Sequence, residues 1–254
     1  MTASSVFGLI CFVSKTRSNQ LERIDTGDYT PEEYERFLRE IRLVNRFAGD
    51  YRALRKSLLR DIRECDLRNF SVLDVGAGSG ELLRVVANFA SKGNREARLC
   101  GLELNARSAR AILEESKNYA NIEGVRGDAF RLPFSDDAFD YAICSLFTHH
   151  FSDENTIQIF KEMSRVSRRR IYVIDLHRHA AASIFYKVFC AAFRISPLVR
   201  EDGSLSILRS FTPRELEKLG REANFENFSV KRYFPFRLVF EGEKKVTGKK
   251  VESI

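Results

Sequence analysis

The sequence predicts an α/β protein with a doubly wound, mostly parallel sheet of seven strands. Two observations predict this fold class. From residue 70 onward, short apolar runs alternate with stretches of helical periodicity, and three glycines (Gly76, Gly78 and Gly80) follow the first of those runs. Strands separated by helices pair in parallel through right-handed crossovers. A glycine-rich turn after the first strand is typical of Rossmann-like sheets that bind a nucleotide.

Each element is assigned from its periodicity, because short apolar runs between turn residues indicate strands and apolar residues three and four apart indicate helices. The strands are predicted at residues 71–75, 97–104, 122–126, 141–146, 171–175, 228–233 and 236–240. Helices are predicted at residues 81–90, 106–119, 155–166, 180–193 and 212–223. We expect the last two strands to form a closing antiparallel pair.

Two helices are predicted before the sheet, and they set the domain boundaries. Thr30 and Pro31 start the first, which runs to residue 47, and the second covers residues 51–63. We expect residues 1–64 to form an N-terminal leader and helical lid, with residues 1–20 loosely held. Residues 65–240 are expected to form the sheet domain, with a helical insertion at residues 180–211 and a basic tail at residues 241–254.

Composition limits the partners of the chain. The net charge is +7, but the excess is diffuse and comes partly from arginines 168–170 and the lysines of the tail. Such runs are usually solvated, so we expect no nucleic-acid partner. The five cysteines lack metal-ligand spacing, which favours a reducing cytoplasm and no metal site. The apolar run at residues 6–13 is too short to span a bilayer, and we expect no integral membrane segment.

The glycine loop has the spacing G-x-G-x-G, not the G-x-G-x-x-G of a dinucleotide site, and Asp74 and Glu81 bracket it. Two acids around the loop repel a pyrophosphate and suit a cationic ligand. Glu103 ends the second strand, where a carboxylate can accept hydrogen bonds from both ribose hydroxyls. Asp128 follows the third strand and can accept a hydrogen bond from an adenine amine. S-adenosyl-L-methionine combines adenine, an unphosphorylated ribose and a cationic tail.

Four stretches in register strengthen this interpretation: VLDVGAGSGE, GLELN, GDAFRLPFSDDAFDYAICSLFTHHF and FTPRELEKLGREANF. Together they resemble the motifs of class I S-adenosylmethionine-dependent methyltransferases, a Rossmann-like fold, over roughly residues 40–235. The four stretches are also similar to those of the group that includes the ubiquinone/menaquinone-biosynthesis methyltransferases. From His177 onward the chain also resembles, more faintly, bacterial natural-product methyltransferases.

The resemblance implies a set of cofactor-binding residues. It assigns the methionine part to the glycine loop, the ribose to the end of the second strand and the adenine to the third. The predicted contacts are Asp74, Gly76, Ala77, Gly78, Gly80, Glu103, Leu104, Asp128, Ala129 and Ser145.

The segment after the fourth strand constrains the methyl acceptor. Neither an Asn/Asp-Pro-Pro-Tyr/Phe run nor a Pro-Cys nucleophile is present in SLFTHHF, and both absences argue against methylation of a nucleic-acid base. The four histidines of the chain cluster after the fourth and fifth strands, and imidazole suits proton removal from a hydroxyl. The candidate catalytic residues are His149, His150, His177 and Asp175. The alternative is that these histidines cap helices or pack against the cofactor.

The apolar helix at residues 180–193 can roof an acceptor pocket, pack in the core, or form a homodimer face. Its composition favours an apolar aromatic or polyketide-like acceptor, and the leading hypothesis is O-methylation in natural-product biosynthesis. Quinone-ring C-methylation is the second hypothesis. The third is a non-catalytic protein of the same fold that binds RNA or assists assembly through its positive charge.

Overall fold

The structure, a computed structural model, describes residues 16–244 and is centred on one seven-stranded sheet. Its strands are β1 (Asn69–Val75), β2 (Glu96–Glu103), β3 (Ile122–Arg126), β4 (Phe139–Ser145), β5 (Ser167–Leu176), β6 (Phe228–Tyr233) and β7 (Arg237–Glu243). They lie in the order β3-β2-β1-β4-β5-β7-β6. The pairs from β3 to β5 are parallel, and β7 runs antiparallel to both β5 and β6. The predicted fold class is therefore confirmed.

Helices cover both faces of the sheet. Before it lie α1 (Arg23–Thr26), α2 (Pro31–Ala48), α3 (Asp50–Lys56) and α4 (Leu58–Glu64). Between strands lie α5 (Glu81–Lys92), α6 (Ala106–Glu115), α7 (Asp153–Val166), α8 (Ala180–Ala192), α9 (Pro197–Arg209) and α10 (Pro213–Glu222). A single 3-10 turn, Thr148–His150, follows β4.

Side chains on the two faces of β1 pack in two separate cores, because successive side chains of a strand point to opposite sides. Val72 packs with Leu54 of α3 and Val86 of α5 in one buried cluster. Leu73 packs with Phe160 of α7 in the other, which also contains residues of α10. Both faces of this central strand are thus buried, which explains why it is a continuous apolar run in the sequence.

Several predicted boundaries are corrected. The helix predicted at residues 51–63 is two helices, because Ser57 leaves helical geometry (φ −111°, ψ −96°) and its hydroxyl donates to the carbonyl of Ala53. Both helices belong to the core beside β1 and not to a lid. The helix predicted to reach residue 119 ends at Glu115, where the N–H of Ser116 bonds back to Ile112.

The region 180–211 contains a second helix, α9, that its sequence does not reveal, because glycine and polar residues interrupt the apolar pattern. Gly203 lies inside α9 against the ring of Tyr186 in α8, so that a Cβ atom at this position would overlap the phenol. The hydroxyl of Tyr186 donates to the carbonyl of Val199, at 2.6 Å. Close contact at the glycine therefore joins α8 and α9 into one unit, which packs on α2 through apolar residues such as Phe37 and Ile41.

The chain before α1 is held more firmly than the loosely held leader predicted from the sequence. Arg17 donates to Asp153 at 2.6 Å and to the carbonyl of Phe151 at 2.9 Å, and its guanidinium lies 4.1 Å from the ring centre of Phe211. The N–H of Ser18 bonds to the carbonyl of Leu208. The prediction is therefore wrong for these residues, and residues 1–15 lie outside the described part.

The predicted start of the basic tail, at residue 241, lies before the end of β7. β7 extends to Glu243, and Lys244 donates to Asp137 at 2.6 Å and to the carbonyl of Arg165. Residues 245–254 lie outside the described part. Within residues 16–244, the four cysteines are free thiols, and no helix is long and apolar enough to cross a membrane.

Truncation of Leu73 tests the central position of β1. We expect Leu73→Ala to lower the free energy of unfolding by about 2–5 kcal/mol, because the side chain is fully buried and its loss leaves a cavity. Denaturant unfolding measures this change. The matched control is Leu21→Ala at an exposed site, for which we expect a change within about 0.5 kcal/mol. Equal effects of the two substitutions would contradict the described packing.

Candidate active site

The glycine loop lies after β1, where the strand order reverses between β1 and β4, and ligands of open α/β sheets bind at this point. Gly76, Gly78 and Gly80 all have positive φ, at 71°, 58° and 78°, which side-chain-bearing residues rarely adopt. A Cβ atom on Gly76 would overlap the ring of Phe147. At Gly78 it would meet nothing within 4 Å. Gly78 therefore exposes bare backbone to open space.

Two carboxyl groups face the loop. Asp74 is only 2% exposed, and its Oδ1 has no hydrogen-bond partner among the described residues. Burial raises the pKa of Asp74 well above its usual value, and the neighbouring Glu103 raises it further. Glu103 accepts a hydrogen bond from the N–H of Gly78 at 2.6 Å, and burial raises its pKa too. An unpaired buried acceptor beside a second acid favours a ligand with a positive charge and several donors.

A cavity of about 700 Å³ extends from this loop to the helices above the sheet. Its loop end is polar and includes Tyr51, whose hydroxyl donates to Glu81. Its far end is lined by aromatic and aliphatic side chains from α2, α8 and the loops after β4 and β6. These include Phe37, Ile41, Phe147, Phe185, Phe189 and Phe236. One space thus joins a polar half to an apolar half.

His149 lies on the wall of this cavity and is oriented from behind by Asp175. Its Nδ1 is 2.7 Å from Oδ1 of Asp175, a fully buried carboxylate at the end of β5. Asp175 also accepts hydrogen bonds from the hydroxyl of Thr148 and the N–H of Leu176. Despite its burial, His149 and these donors lower its pKa to about 2. An ionised Asp175 keeps the proton of His149 on Nδ1, so Nε2 is the free acceptor.

The segment before α2 adds further ionisable groups to the same wall. Oε1 of Glu22 lies 3.9 Å from Nε2 of His149 and accepts from the hydroxyl of Ser206 at 2.8 Å. Burial raises the pKa of Glu22 to about 7. His150 contacts Asp25 through Nδ1 at 3.2 Å. Residues 22–25 and α9 therefore complete a pocket that the sheet domain only begins.

A metal ion is one group that such residues can hold. One ligand atom each from Glu22, His149 and His150 lies within 4.8 Å of the others. The two imidazole rings, however, lie nearly face to face, 4.3 Å apart and tilted by 33°. Stacked rings do not direct their nitrogen lone pairs at one point, so this arrangement is better suited to hydrogen bonding. That no metal is bound stays a prediction.

The structure brings many of the predicted site residues together and leaves others outside. Residues on the cavity wall are Asp74, Gly76, Ala77, Gly78, Glu103, Ser145, His149 and His150. Four predicted cofactor contacts are not among the lining residues: Gly80, Leu104, Asp128 and Ala129. Gly80 begins α5, Leu104 is 66% exposed, Ala129 is buried in the core, and Asp128 accepts from the N–H of Phe130. Their roles at the cofactor stay predictions.

Two candidate catalytic residues, His177 and Asp175, do not line the cavity, and their catalytic roles stay predictions. His177 does not line the cavity, because its N–H pairs with the carbonyl of Phe236 beside β7. Burial and neighbouring positive charges lower its pKa to about 4. Asp175 lies behind His149 and has no surface on the cavity, so it can act only through that ring.

Sequence reasoning missed Glu22, Asp25 and Arg209. Arg209 donates to Asp25 at 3.1 Å and to the carbonyl of His150 at 2.6 Å, which joins the end of α9 to α1 and the 3-10 turn. No local pattern reveals such contacts, because the partners lie far apart in the chain and no motif surrounds them. The only signal was a charged cluster, ERID, just before the first capped helix.

The strand order, the glycine loop at its reversal and the acids at the ends of β1 and β2 are those expected of a class I methyltransferase domain. Residues 72–170 match the methyltransferase domain family. This match shows a methyltransferase domain within residues 72–170, and it confirms the predicted resemblance to class I methyltransferases and the predicted cofactor, S-adenosylmethionine.

Individual relatives match only parts of the chain. An uncharacterized methyltransferase of Bacillus subtilis, YcgJ, is 29% identical over 41% of this chain and 40% of its own length. The demethylmenaquinone methyltransferase of Bacillus licheniformis is 29% identical over 38% of this chain and 39% of its own length. The matches thus span about two fifths of these curated relatives.

Among solved structures, magnesium protoporphyrin IX methyltransferase of Synechocystis with bound SAH has a similar fold. Its TM-score is 0.60 at 14% identity, and the match covers 88% of this chain and 100% of that one. At this identity the similarity concerns the fold alone.

Substitution of Glu103 tests the cofactor end of the cavity. We expect Glu103→Ala to weaken S-adenosylmethionine binding by about 10–100-fold, because hydrogen bonds to a charged group contribute roughly 1.5–3 kcal/mol. Isothermal calorimetry measures this affinity. The control is Glu123→Ala on β3, whose carboxylate does not line the cavity. Unchanged affinity in Glu103→Ala would show that the carboxylate does not contact the ligand.

Gly78→Val tests the need for bare backbone. We expect Gly78→Val to lose cofactor binding but to retain the fold. The branched side chain fills the open space beside the loop, and a valine at this positive φ is strained. Gly27→Val is a matched control, since Gly27 also has positive φ (74°) and open surroundings but lies outside the cavity. Circular dichroism on both variants measures whether the strained residue disturbs the fold, and calorimetry measures whether the cofactor still binds. Normal binding by Gly78→Val would make the loop a simple turn.

Proposed function

We propose that this protein transfers a methyl group from S-adenosylmethionine to a hydroxyl of an apolar small molecule, an aromatic or polyketide-like compound. One observation carries the proposal: His149, oriented from behind by Asp175, lies on a cavity whose two ends differ in chemistry. The polar end suits the cofactor, and the apolar end suits an acceptor. A proton acceptor on the same wall is needed when the acceptor group is a neutral hydroxyl.

The residues at the polar end fit the cofactor. Asp74, with its unpaired buried oxygen, would accept from the ammonium of the methionine part, and Glu103 would accept from the ribose hydroxyls. The exposed backbone at Gly78 allows close approach. When bound, S-adenosylmethionine supplies an electrophilic methyl group on sulfonium sulfur, and transfer to a hydroxyl releases S-adenosylhomocysteine and one proton.

His149 would take that proton. Asp175 holds the hydrogen of the ring on Nδ1 and stabilises the imidazolium that forms when Nε2 accepts a second proton. Both residues are buried, so the geometry of the pair is maintained. Asp175 is therefore a positioning residue, whereas His149 contacts the acceptor. His150, which also lines the cavity, is proposed to pack beside His149.

C-methylation of a quinone ring is the alternative. The identity shared with the demethylmenaquinone methyltransferase of Bacillus licheniformis favours it, and the apolar cavity admits an isoprenoid chain as well as an aromatic ring. The contact between His149 and Asp175 favours methylation of an oxygen atom, because a hydroxyl gives up its proton to a base directly. The position of the methyl group in the product distinguishes the two reactions.

The direct test uses S-adenosylmethionine labelled in its methyl group with a panel of apolar phenols, naphthols, hydroxyquinolones and demethylated quinones. We expect the label to enter hydroxylated acceptors, and nuclear magnetic resonance of the product to place it on oxygen. Label on a ring carbon would instead support the alternative. If the protein binds the cofactor and labels neither class, the proposed acceptor is wrong.

His149→Gln and Asp175→Asn test the proton transfer. We expect each to lower kcat by about 10²–10⁴, with cofactor affinity intact, because both remove an acceptor nitrogen on the cavity side. In Asp175→Asn the amide donates to Nδ1, so Nε2 carries the hydrogen and cannot accept another. His177→Gln is the control, since His177 lies outside the cavity, and its kcat should be unchanged. Normal turnover in His149→Gln would show that positioning alone drives the transfer.

A further inference from the structure

We propose that Glu22 selects the acceptor by binding a second hydrogen-bond donor on the atom next to the hydroxyl that is methylated. The preferred substrates would be vicinal diols on an aromatic ring, or hydroxyls flanked by an N–H group. This inference rests on the proposed function, because it places the methylated hydroxyl at His149.

The distance between the two acceptor atoms is the first argument. Oε1 of Glu22 and Nε2 of His149 are 3.9 Å apart, too far for a hydrogen bond between them, and both residues line the cavity. Two donors on neighbouring atoms of a planar ring can each reach one of these acceptors. Donors on opposite sides of a ring are too widely spaced.

The burial of Glu22 is the second argument. The residue is 3% exposed, its carboxylate accepts one hydrogen bond, from Ser206, and no Lys or Arg of the described residues lies within ion-pair distance. Buried carboxyl oxygens that accept only one hydrogen bond cost stability unless a further donor reaches them. A hydroxyl or N–H of the acceptor would supply the missing donor.

The support around Glu22 is the third argument. The carboxylate of Asp202, from α9, accepts from the N–H groups of Arg23 and Ile24, each at 2.9 Å. These bonds satisfy the start of α1, which the side chain of Glu22 leaves uncapped. Arg209 holds Asp25 within the same short helix. Glu22 is thus fixed on both sides, and its carboxylate remains available to the cavity.

An acceptor with a single hydroxyl would leave Glu22 without this bond. Because hydrogen bonds to a charged group are among the stronger ones, the second donor should raise kcat/KM by about 10–100-fold. The same reasoning predicts a single methylation. Once one hydroxyl of a diol is methylated, the product has only one donor left and should be a poor substrate.

Three compounds with the same ring system test this proposal: 2,3-dihydroxynaphthalene, 3-methoxy-2-naphthol and 2-naphthol. With the wild-type protein we expect kcat/KM for the diol to exceed the other two by at least about tenfold. Glu22→Leu should lower the ratio of kcat/KM for the diol to kcat/KM for 2-naphthol by about 10–100-fold. Glu22→Gln should be intermediate, because the amide oxygen still accepts. Asp28→Asn, at an exposed acid of the same segment, serves as the control.

Each other outcome contradicts the proposal in a definite way. Equal kcat/KM for the three compounds would show that the protein does not recognise the second donor. If Glu22→Leu lowers kcat/KM equally for the diol and for 2-naphthol, then Glu22 supports His149 and does not recognise the second donor. A preference for the diol that EDTA abolishes would assign recognition to a bound metal.

Binding separates this proposal from the proposed function. Calorimetry of the diol and of 2-naphthol, on protein saturated with S-adenosylhomocysteine, needs no turnover. Tighter binding of the diol that depends on Glu22 would support the recognition role even if no methyl group is transferred. Equal binding would overturn it, whether or not methylation of other acceptors is observed.

Discussion

The hydrogen bond between Asp175 and His149 is the interaction on which the cavity depends. Asp175 ends β5 inside the protein, and besides the ring it bonds the hydroxyl of Thr148 and the N–H of His149. It thereby fixes the turn after β4 against the end of the neighbouring strand. Because β4 borders β1 at the reversal of strand order, this turn faces the glycine loop. The sheet thus determines the distance between the glycine loop and His149.

Much of this cofactor end was predictable, because its signals are local. The run before Gly76 is apolar on both faces of a central strand, and the glycines follow it directly. Acids at the ends of consecutive parallel strands meet at one edge, so Asp74 and Glu103 could be placed together from their positions alone. His149 could be placed on the cavity for the same reason, since it follows the next strand.

The proposed acceptor end of the cavity was not predictable, because tertiary contacts create it. Glu22 belongs to a segment with no periodicity, and Asp202, which holds that segment, lies in a helix whose apolar pattern is broken. His177 was assigned to the cavity from its place after β5, but the chain turns there toward β7. A strand end predicts which edge of the sheet a residue occupies, and not the direction taken by the next three residues.

The pairing of Gly203 with Tyr186 has an evolutionary consequence. Since a missing Cβ atom fixes how closely α8 and α9 approach, the shape of the acceptor end depends on helices outside residues 72–170, the part shared with the methyltransferase domain family. The polar contacts of this end come from Glu22 and Ser206, which are outside that part too. Substitutions there can change the accepted molecule while the cofactor residues stay constant. Selectivity and methyl donation can therefore diverge at different rates along one chain.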